Sequence, residues 1–141
     1  ELTMNIPKNK TYLAVSGVLL LVVGGYISLN PTEYLGQFGM NDVINISFYS
    51  DLRAMGGSLF VFGLIAIAGC IRQRLEKLAL FTSTAIFSAY SFFRVMAIAL
   101  DGMPGNAILT AAFIEIAFAL MGCALMFTSQ FKQAACKEIY D

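Results

Sequence analysis

The chain of 141 residues contains no histidine. It therefore lacks the side chain that most often acts as an acid or base near neutral pH and that commonly binds zinc or haem iron. The three cysteines, Cys70, Cys123 and Cys136, are widely spaced and match no metal-ligand pattern, so we expect free thiols. We predict neither a metal site nor a bound cofactor.

Charge is also scarce in this chain. Charged residues make up 13% of it and the formal net charge is +0, whereas a typical soluble domain has about 25% charged residues. No cluster of Lys and Arg is dense enough to follow a phosphate backbone, which argues against nucleic acid as a partner. Hydrophobic residues account for 58% of the chain, and its mean hydropathy is +0.74. This apolar excess indicates a membrane protein surrounded by membrane lipids.

Apolar residues are concentrated in four runs, at about 11–29, 54–71, 78–100 and 107–128. Runs of about 18–23 residues form helices of roughly 27–34 Å, which match a hydrocarbon core of about 30 Å. A soluble bundle would need polar outer faces, and these runs do not provide them. We therefore predict an all-α integral membrane four-helix bundle that forms a single domain over residues 1–141.

The distribution of positive charge predicts the orientation of the bundle. The loops at 30–50 and 101–106 contain no Lys or Arg. Because cytoplasmic loops are rich in Lys and Arg, we predict that these two loops lie outside and that both termini are cytoplasmic. We expect the tail at 129–140 to run as a helix along the inner surface. Seven of the nine Lys and Arg residues precede the first run, join the second to the third, or follow the fourth: Lys8, Lys10, Arg72, Arg74, Lys77, Lys132 and Lys137.

The first outer loop contains the signature of a short helix. Pro31-Thr32-Glu33 is typical of a helix start, with Thr32 as the predicted cap. Tyr34, Leu35 and Phe38 would then dip into the membrane interface. Two roles are open for this helix: a surface anchor, which we favour, or a lid that closes on a ligand.

Three charged residues, Arg53, Arg94 and Glu115, lie in or at the edge of the apolar runs. An unpaired charge at the centre of a membrane helix costs on the order of 2.5–3.5 kcal/mol, so such residues are paired and are functional candidates by default. At about 1.5 Å per residue, Arg94 lies about 9 Å and Glu115 about 13 Å below the outer boundary. An arginine side chain can bridge that difference, so we predict that Glu115 faces Arg94 or Arg53.

Helical spacing places small residues on the same faces as two of these charges. Arg53 shares a face with Gly56, Gly57 and Gly63, and Glu115 shares one with Ala111, Ala112, Ala119 and Gly122. Gly17, Gly24 and Ser28 form a third seam of small residues in the first run. Such seams allow helices to approach closely, so these faces should form the inside of the bundle.

The predicted polar cluster comprises Arg53, Arg94, Glu115, Asp101, Asp51 and Tyr90.

This cluster has two possible roles. It could be a salt-bridge lock that only holds the helices in register. Alternatively, the guanidinium groups could bind the polar head of a quinone-like or anionic amphiphile, because arginine suits carbonyl, carboxylate and phosphate groups. Nearby aromatic residues would then cover the apolar tail: Phe87, Tyr90, Phe92, Phe93 and Phe113.

Short segments of the chain carry a resemblance to a known family. Asp51-Leu52-Arg53-Ala54-Met55-Gly56-Gly57 opens the second run, Arg94 through Asp101-Gly102-Met103-Pro104 closes the third, and Glu115 lies in the fourth. In these segments the chain resembles a bacterial membrane family catalogued as domain of unknown function 4345. The resemblance implies a bacterial inner-membrane protein with four helices, and it implies no activity.

Three classes of function follow. We favour an accessory subunit that docks beside a larger membrane complex, or a protein that binds a lipid or a quinone-like amphiphile. The alternative is a small transporter or proton-linked carrier that uses Glu115 and works as a homo-oligomer. A membrane enzyme is the third hypothesis, for which the sequence offers no catalytic motif.

Overall fold

The computed structural model describes residues 8–40 and 45–138, and the side-chain surroundings of those residues up to 128. The described chain is helical apart from its connecting loops, and four of its helices are long and apolar enough to cross a membrane. This confirms the predicted four-helix bundle and supports a multi-pass membrane protein. The elements are α1 (Lys8–Leu29), α2 (Pro31–Gly36), α3 (Ile46–Ile71), a 3-10 turn (Gln73–Leu75), α4 (Glu76–Asp101) and α5 (Asn106–Glu138).

Helix α3 begins eight residues before the predicted start at 54. The reason is a cap: the Asn45 side chain accepts hydrogen bonds from the backbone N–H groups of Ser47 (3.0 Å) and Phe48 (3.4 Å). This cap satisfies donors that would otherwise be left open and allows helix to form over a less apolar segment. Arg53 consequently lies two turns inside α3, rather than at its first residue.

Helices α1 and α3 pack against each other along most of their length. Gly24 and Gly56 make this possible: a Cβ atom on Gly24 would lie 2.6 Å from the Gly56 carbonyl oxygen, and one on Gly56 would lie 2.7 Å from the Gly24 carbonyl oxygen. Gly17 and Gly63 are buried in the same contact. The predicted seams of small residues in these two helices are therefore a helix–helix interface.

Helices α4 and α5 form the second pair, and α3 joins the two pairs by packing against α4. The Phe87 ring stacks on the Phe118 ring, with centroids 4.9 Å apart. Phe118 also contacts Tyr12 of α1, whose hydroxyl donates to the Phe118 carbonyl oxygen at 3.2 Å. These aromatic residues hold α1 against α5 in the half of the bundle that carries the 3-10 turn.

Helix α2 crosses the other end of the bundle, here called the α2 end. It begins at Pro31, and the cap position is Asn30, whose side chain makes no capping hydrogen bond, so the prediction of Thr32 as the cap was wrong. Leu35 is 2% exposed and belongs to the same core cluster as Leu52 and Phe87. The apolar face of α2 therefore rests on the bundle, rather than pointing into lipid.

The tail does not start a separate helix after Thr128. Helix α5 continues without a break to Glu138. The side chains of residues 129–138, and the whole of 139–141, lie outside the described residues.

Candidate functional site

Arg94 and Glu115 form an ion pair between α4 and α5. Arg94 Nε donates to Glu115 Oε2 at 2.5 Å, and Arg94 Nη2 donates to Glu115 Oε1 at 3.0 Å. The two side chains are 24% and 15% exposed. This two-point geometry is the one that best matches a guanidinium to a carboxylate. It confirms the predicted approach of Glu115 to Arg94.

The ion pair satisfies two charges that would each be costly in an apolar helix. Both helices present small or apolar residues around it: Ala97 on α4, and Ala111 and Ile114 on α5. Such surroundings strengthen the attraction within the pair, and they also raise the cost of leaving either partner alone.

Two tyrosines lie beside the ion pair. The guanidinium of Arg94 stands 5.9 Å from the centre of the Tyr90 ring, which is within the range of a cation–π contact. Tyr34, from α2, lines the same space. Burial raises the pKa of the Tyr34 phenol above its usual value of 10.0; Arg94 opposes this rise and Glu115 adds to it. Tyr34 is therefore a neutral hydrogen-bonding group at physiological pH.

These residues line a cleft of about 600 Å³. Of the residues that the structure describes, Arg94 and Glu115 are the only charged ones in its lining. The rest of the lining is almost wholly apolar or aromatic, and all five helices contribute to it. The other lining residues are Leu19, Leu20, Val23, Ile27, Tyr34, Gln37, Phe38, Met55, Leu59, Ile86, Phe87, Ala89, Tyr90, Phe93, Ala97, Ala107, Ile108, Ala111 and Ile114.

The cleft has a closed floor and an open side. Phe87 forms the floor, supported from below by Phe118. Along one side, α1 and α5 make few contacts with each other. Val23 of α1 and Ile114 of α5 both line the cleft and are 39% and 41% exposed. The gap between these helices therefore reaches the outer apolar surface of the bundle, which lipid covers in a membrane.

A second cavity, of about 640 Å³, continues the cleft beneath α2. It shares Tyr34, Gln37 and Phe38 with the first cavity, and it is bounded on the far side by the loop that enters α5. The Gln37 side chain donates to the Tyr26 hydroxyl at 3.0 Å, which ties α2 to the end of α1. Helix α2 thus forms a roof over the cleft.

The structure does not bring Arg53, Asp51 or Asp101 into this group. Arg53 Nη1 donates to the Ser28 carbonyl oxygen at 2.7 Å, and Ser28 Oγ donates to the Arg53 carbonyl oxygen at 2.9 Å. Arg53 thus binds an open backbone carbonyl at the end of α1, because the early start of α3 places it beside that end. Asp51 and Asp101 are exposed, and neither lines the cleft.

Sequence reasoning left the role of α2 open between a surface anchor and a lid on a ligand, and it favoured the anchor. Tyr34 and Gln37 carry no charge, and the spacing within a six-residue helix does not reveal which surface it packs on. Leu35 offered the one usable signal, because a large apolar residue beside Tyr34 needs somewhere to be buried.

Comparison with known proteins gives a family and nothing more specific. The family model described as domain of unknown function (DUF4345) matches residues 9–126. The chain therefore belongs to this family. No match was found among the curated proteins or among the solved structures.

Proposed function

We propose that this member of the DUF4345 family is a small membrane protein that binds an amphiphile in the cleft between α1 and α5. The head of the ligand would lie at Arg94, Glu115, Tyr34 and Tyr90, and its tail would lie along the apolar wall. One observation carries the proposal: a cleft of about 600 Å³, apolar except for a few convergent polar groups at one end.

The dimensions and the lining support this proposal. Ligand sites are typically cavities of about 300–1,000 Å³, mainly apolar, with a small number of placed polar groups. A salt-bridge lock alone would need no cavity beside the ion pair, because close packing around it would serve better. The open side between α1 and α5 would admit a ligand directly from the lipid.

The carrier and accessory-subunit hypotheses remain predictions. Both oxygens of Glu115 accept hydrogen bonds from Arg94, whereas a carrier would need this carboxylate to leave the ion pair in each cycle. For this reason we favour ligand binding over proton-linked transport. Docking beside a larger membrane complex or a second copy is compatible with an occupied cleft.

We further propose that the protein resides in a bacterial cytoplasmic membrane with both termini inside. The loops at the α2 end lack Lys and Arg, whereas the opposite end carries Arg72, Arg74 and Lys77. Single cysteines at Met103 or Gln73, in a chain whose own cysteines are replaced, test this orientation. A membrane-impermeant maleimide should label M103C in intact spheroplasts, and Q73C only after permeabilisation. Labelling of Q73C in intact spheroplasts, and of M103C only after permeabilisation, would show that the protein has the opposite orientation.

Filling the cleft tests the binding proposal directly. Ala111 of α5 lines the cleft, whereas Ala117 of the same helix is exposed on its outer surface. We expect the wild-type protein, extracted under mild conditions, to retain an amphiphile that native mass spectrometry detects. The Ala111→Phe variant should lose that species, because the added ring would occupy the cleft beside the ion pair, where the head group lies.

Ala117→Phe is the matched control, since it places the same ring on the lipid-facing side of the same helix. It should retain the amphiphile at the wild-type level. Equal retention by both variants would show that the retained molecules are surrounding lipid, and it would overturn the proposal.

A further inference from the structure

The charge balance of the cleft indicates what kind of head group it accepts. This inference rests on the proposed function, because it concerns the ligand of the same cleft. Among the residues whose side chains the structure describes (8–40 and 45–128), Arg94 and Glu115 are the only charged ones that line it, and none of those residues that line the adjoining cavity beneath α2 is charged. The formal charge that the described lining offers to a ligand is therefore zero.

Glu115 occupies one of the two edges through which Arg94 could bind an anion, and it neutralises the charge of the arginine. A guanidinium group recognises carboxylate or phosphate through two parallel N–H donors. Arg94 directs Nε and Nη2, which together form such a pair, at the two oxygens of Glu115. An anionic head would either displace Glu115, which leaves that carboxylate without its partner in an apolar wall, or bind the Nη1 side of Arg94 with its own charge close to the Glu115 carboxylate; both arrangements are unfavourable.

Arg53 does not restore a positive charge. Its Nη1 binds the Ser28 carbonyl oxygen outside the cleft lining. The predicted cluster included Arg53 as a second arginine, whereas in the described part of the chain Arg94 alone among the arginines lines the cleft, and it is paired with Glu115.

The groups that remain available to a ligand are mainly hydrogen-bond donors, and the charge of Arg94 among them is balanced by Glu115. A guanidinium has five N–H bonds, of which Glu115 takes two. Tyr34 and Tyr90 also line the cleft, and burial holds the Tyr34 phenol in its protonated form by raising its pKa. Neutral acceptor oxygens complement such a set: the carbonyls of a quinone, or the ester and hydroxyl oxygens of an acylglycerol.

We infer that the cleft selects an uncharged amphiphile whose head carries carbonyl or hydroxyl oxygens, and that Glu115 is the residue that excludes anionic heads. Glu115 thus acts as a specificity determinant through its hold on Arg94. Removing its charge while keeping its shape should release the arginine for an anion.

Three probes with the same ten-carbon tail test this inference: a decyl-substituted benzoquinone, 1-decanoylglycerol and decyl phosphate. The purified protein in detergent micelles is incubated with an equimolar mixture, and native mass spectrometry measures the retained species. We expect the wild type to retain at least one neutral probe about tenfold or more over decyl phosphate. The retained neutral probe distinguishes a quinone-type ligand from an acylglycerol.

The Glu115→Gln variant should reverse this preference, because glutamine keeps an acceptor oxygen but leaves the Arg94 charge uncompensated. Arg53→Gln serves as the matched control and should keep the wild-type ratio, since its side chain lies outside the cleft. If Glu115→Gln does not fold, the ratio of neutral probe to decyl phosphate that the wild type retains tests the head-group preference by itself.

Each failure has a distinct meaning. Preference of the wild type for decyl phosphate would overturn the inference on the head group while supporting an amphiphile site. Retention of none of the three probes by the folded wild type would overturn the proposed function, and this inference with it.

Discussion

The backbone of Gly24 in α1 lies directly against the backbone of Gly56 in α3. A Cβ atom added to Gly24 would lie 2.5 Å from the Phe60 backbone nitrogen and 2.6 Å from the Gly56 carbonyl oxygen. Neither of those atoms can rotate away, as the end of a flexible side chain could. The position of α1 on α3, and hence one wall of the cleft, depends on this contact.

We therefore expect Gly24→Ala to destabilise the protein by about 1–3 kcal/mol, because the helices must separate to admit a methyl group. Gly25→Ala is the matched control: its Cβ would meet only the Phe60 ring at 3.7 Å, an ordinary contact. Since alanine favours helix over glycine by about 0.8–1.0 kcal/mol, the control should be neutral or stabilising. Thermal unfolding in micelles measures both, and equal loss in the two variants would contradict the packing described here.

Because Arg94 and Glu115 form an ion pair, we predict that substitutions of these two residues have non-additive effects on the free energy of unfolding. Arg94→Met and Glu115→Met should each lower the free energy of unfolding by more than about 2 kcal/mol, since each leaves a charge unpaired in an apolar wall. The double variant should be less destabilised than the sum of the two, because it leaves no charge behind. A double-mutant cycle on thermal unfolding checks this. Strict additivity would mean that the two groups do not interact in the membrane protein.

Arg53 should contribute to stability but not to ligand binding. Its side chain supplies one hydrogen bond to the end of α1, so Arg53→Gln should cost about 0.5–1.5 kcal/mol. The amphiphile retained during purification should not change, in contrast to the loss expected when the cleft is filled. Loss of the amphiphile in a folded Arg53→Gln variant would place Arg53 at the site after all.

The titration of Tyr34 provides a test of the roof formed by α2. Because burial disfavours the phenolate, the Tyr34 pKa should lie above its usual value of 10.0. The stability that this burial contributes is present in full below pH 10, and it is lost as the pH rises through the raised pKa. The difference in ultraviolet titration between the wild type and Tyr34→Phe isolates this group. A midpoint at or below pH 10 would show that Tyr34 faces water and that α2 does not cover the cleft.

Much of this fold follows from the sequence, because membrane helices are encoded in continuous apolar runs. The pairing of Arg94 with Glu115 was also predictable, since both lie at similar depth on consecutive helices and an unpaired charge there is costly. The early start of α3 was not predicted, since it depends on the local cap at Asn45.

The position of α2 was not predictable either. It depends on where Leu35 finds a buried surface, and that surface exists only once the long helices have assembled. The sequence therefore predicted the charged part of the cleft, whereas it offered the position of α2 over the cleft only as the less favoured of two alternatives.

The length of α3 has a consequence for how the protein sits in a bilayer. Its 26 residues extend about 39 Å, roughly 9 Å more than the hydrocarbon thickness. If the surplus protrudes at the α2 end, about six residues of α3 stand in the head-group layer at ~1.5 Å per residue, so Asp51 meets water and needs no counter-ion. Arg53 follows two residues later, and its long side chain reaches the same layer. The charged groups of this family member would then lie in two environments. Asp51 and Arg53 would be hydrated above the acyl chains, whereas Arg94 and Glu115 would neutralise each other at the depth of those chains. In a thicker membrane, the first turns of α3 would lie among the acyl chains. Arg53 would then need an acidic partner, as Arg94 does.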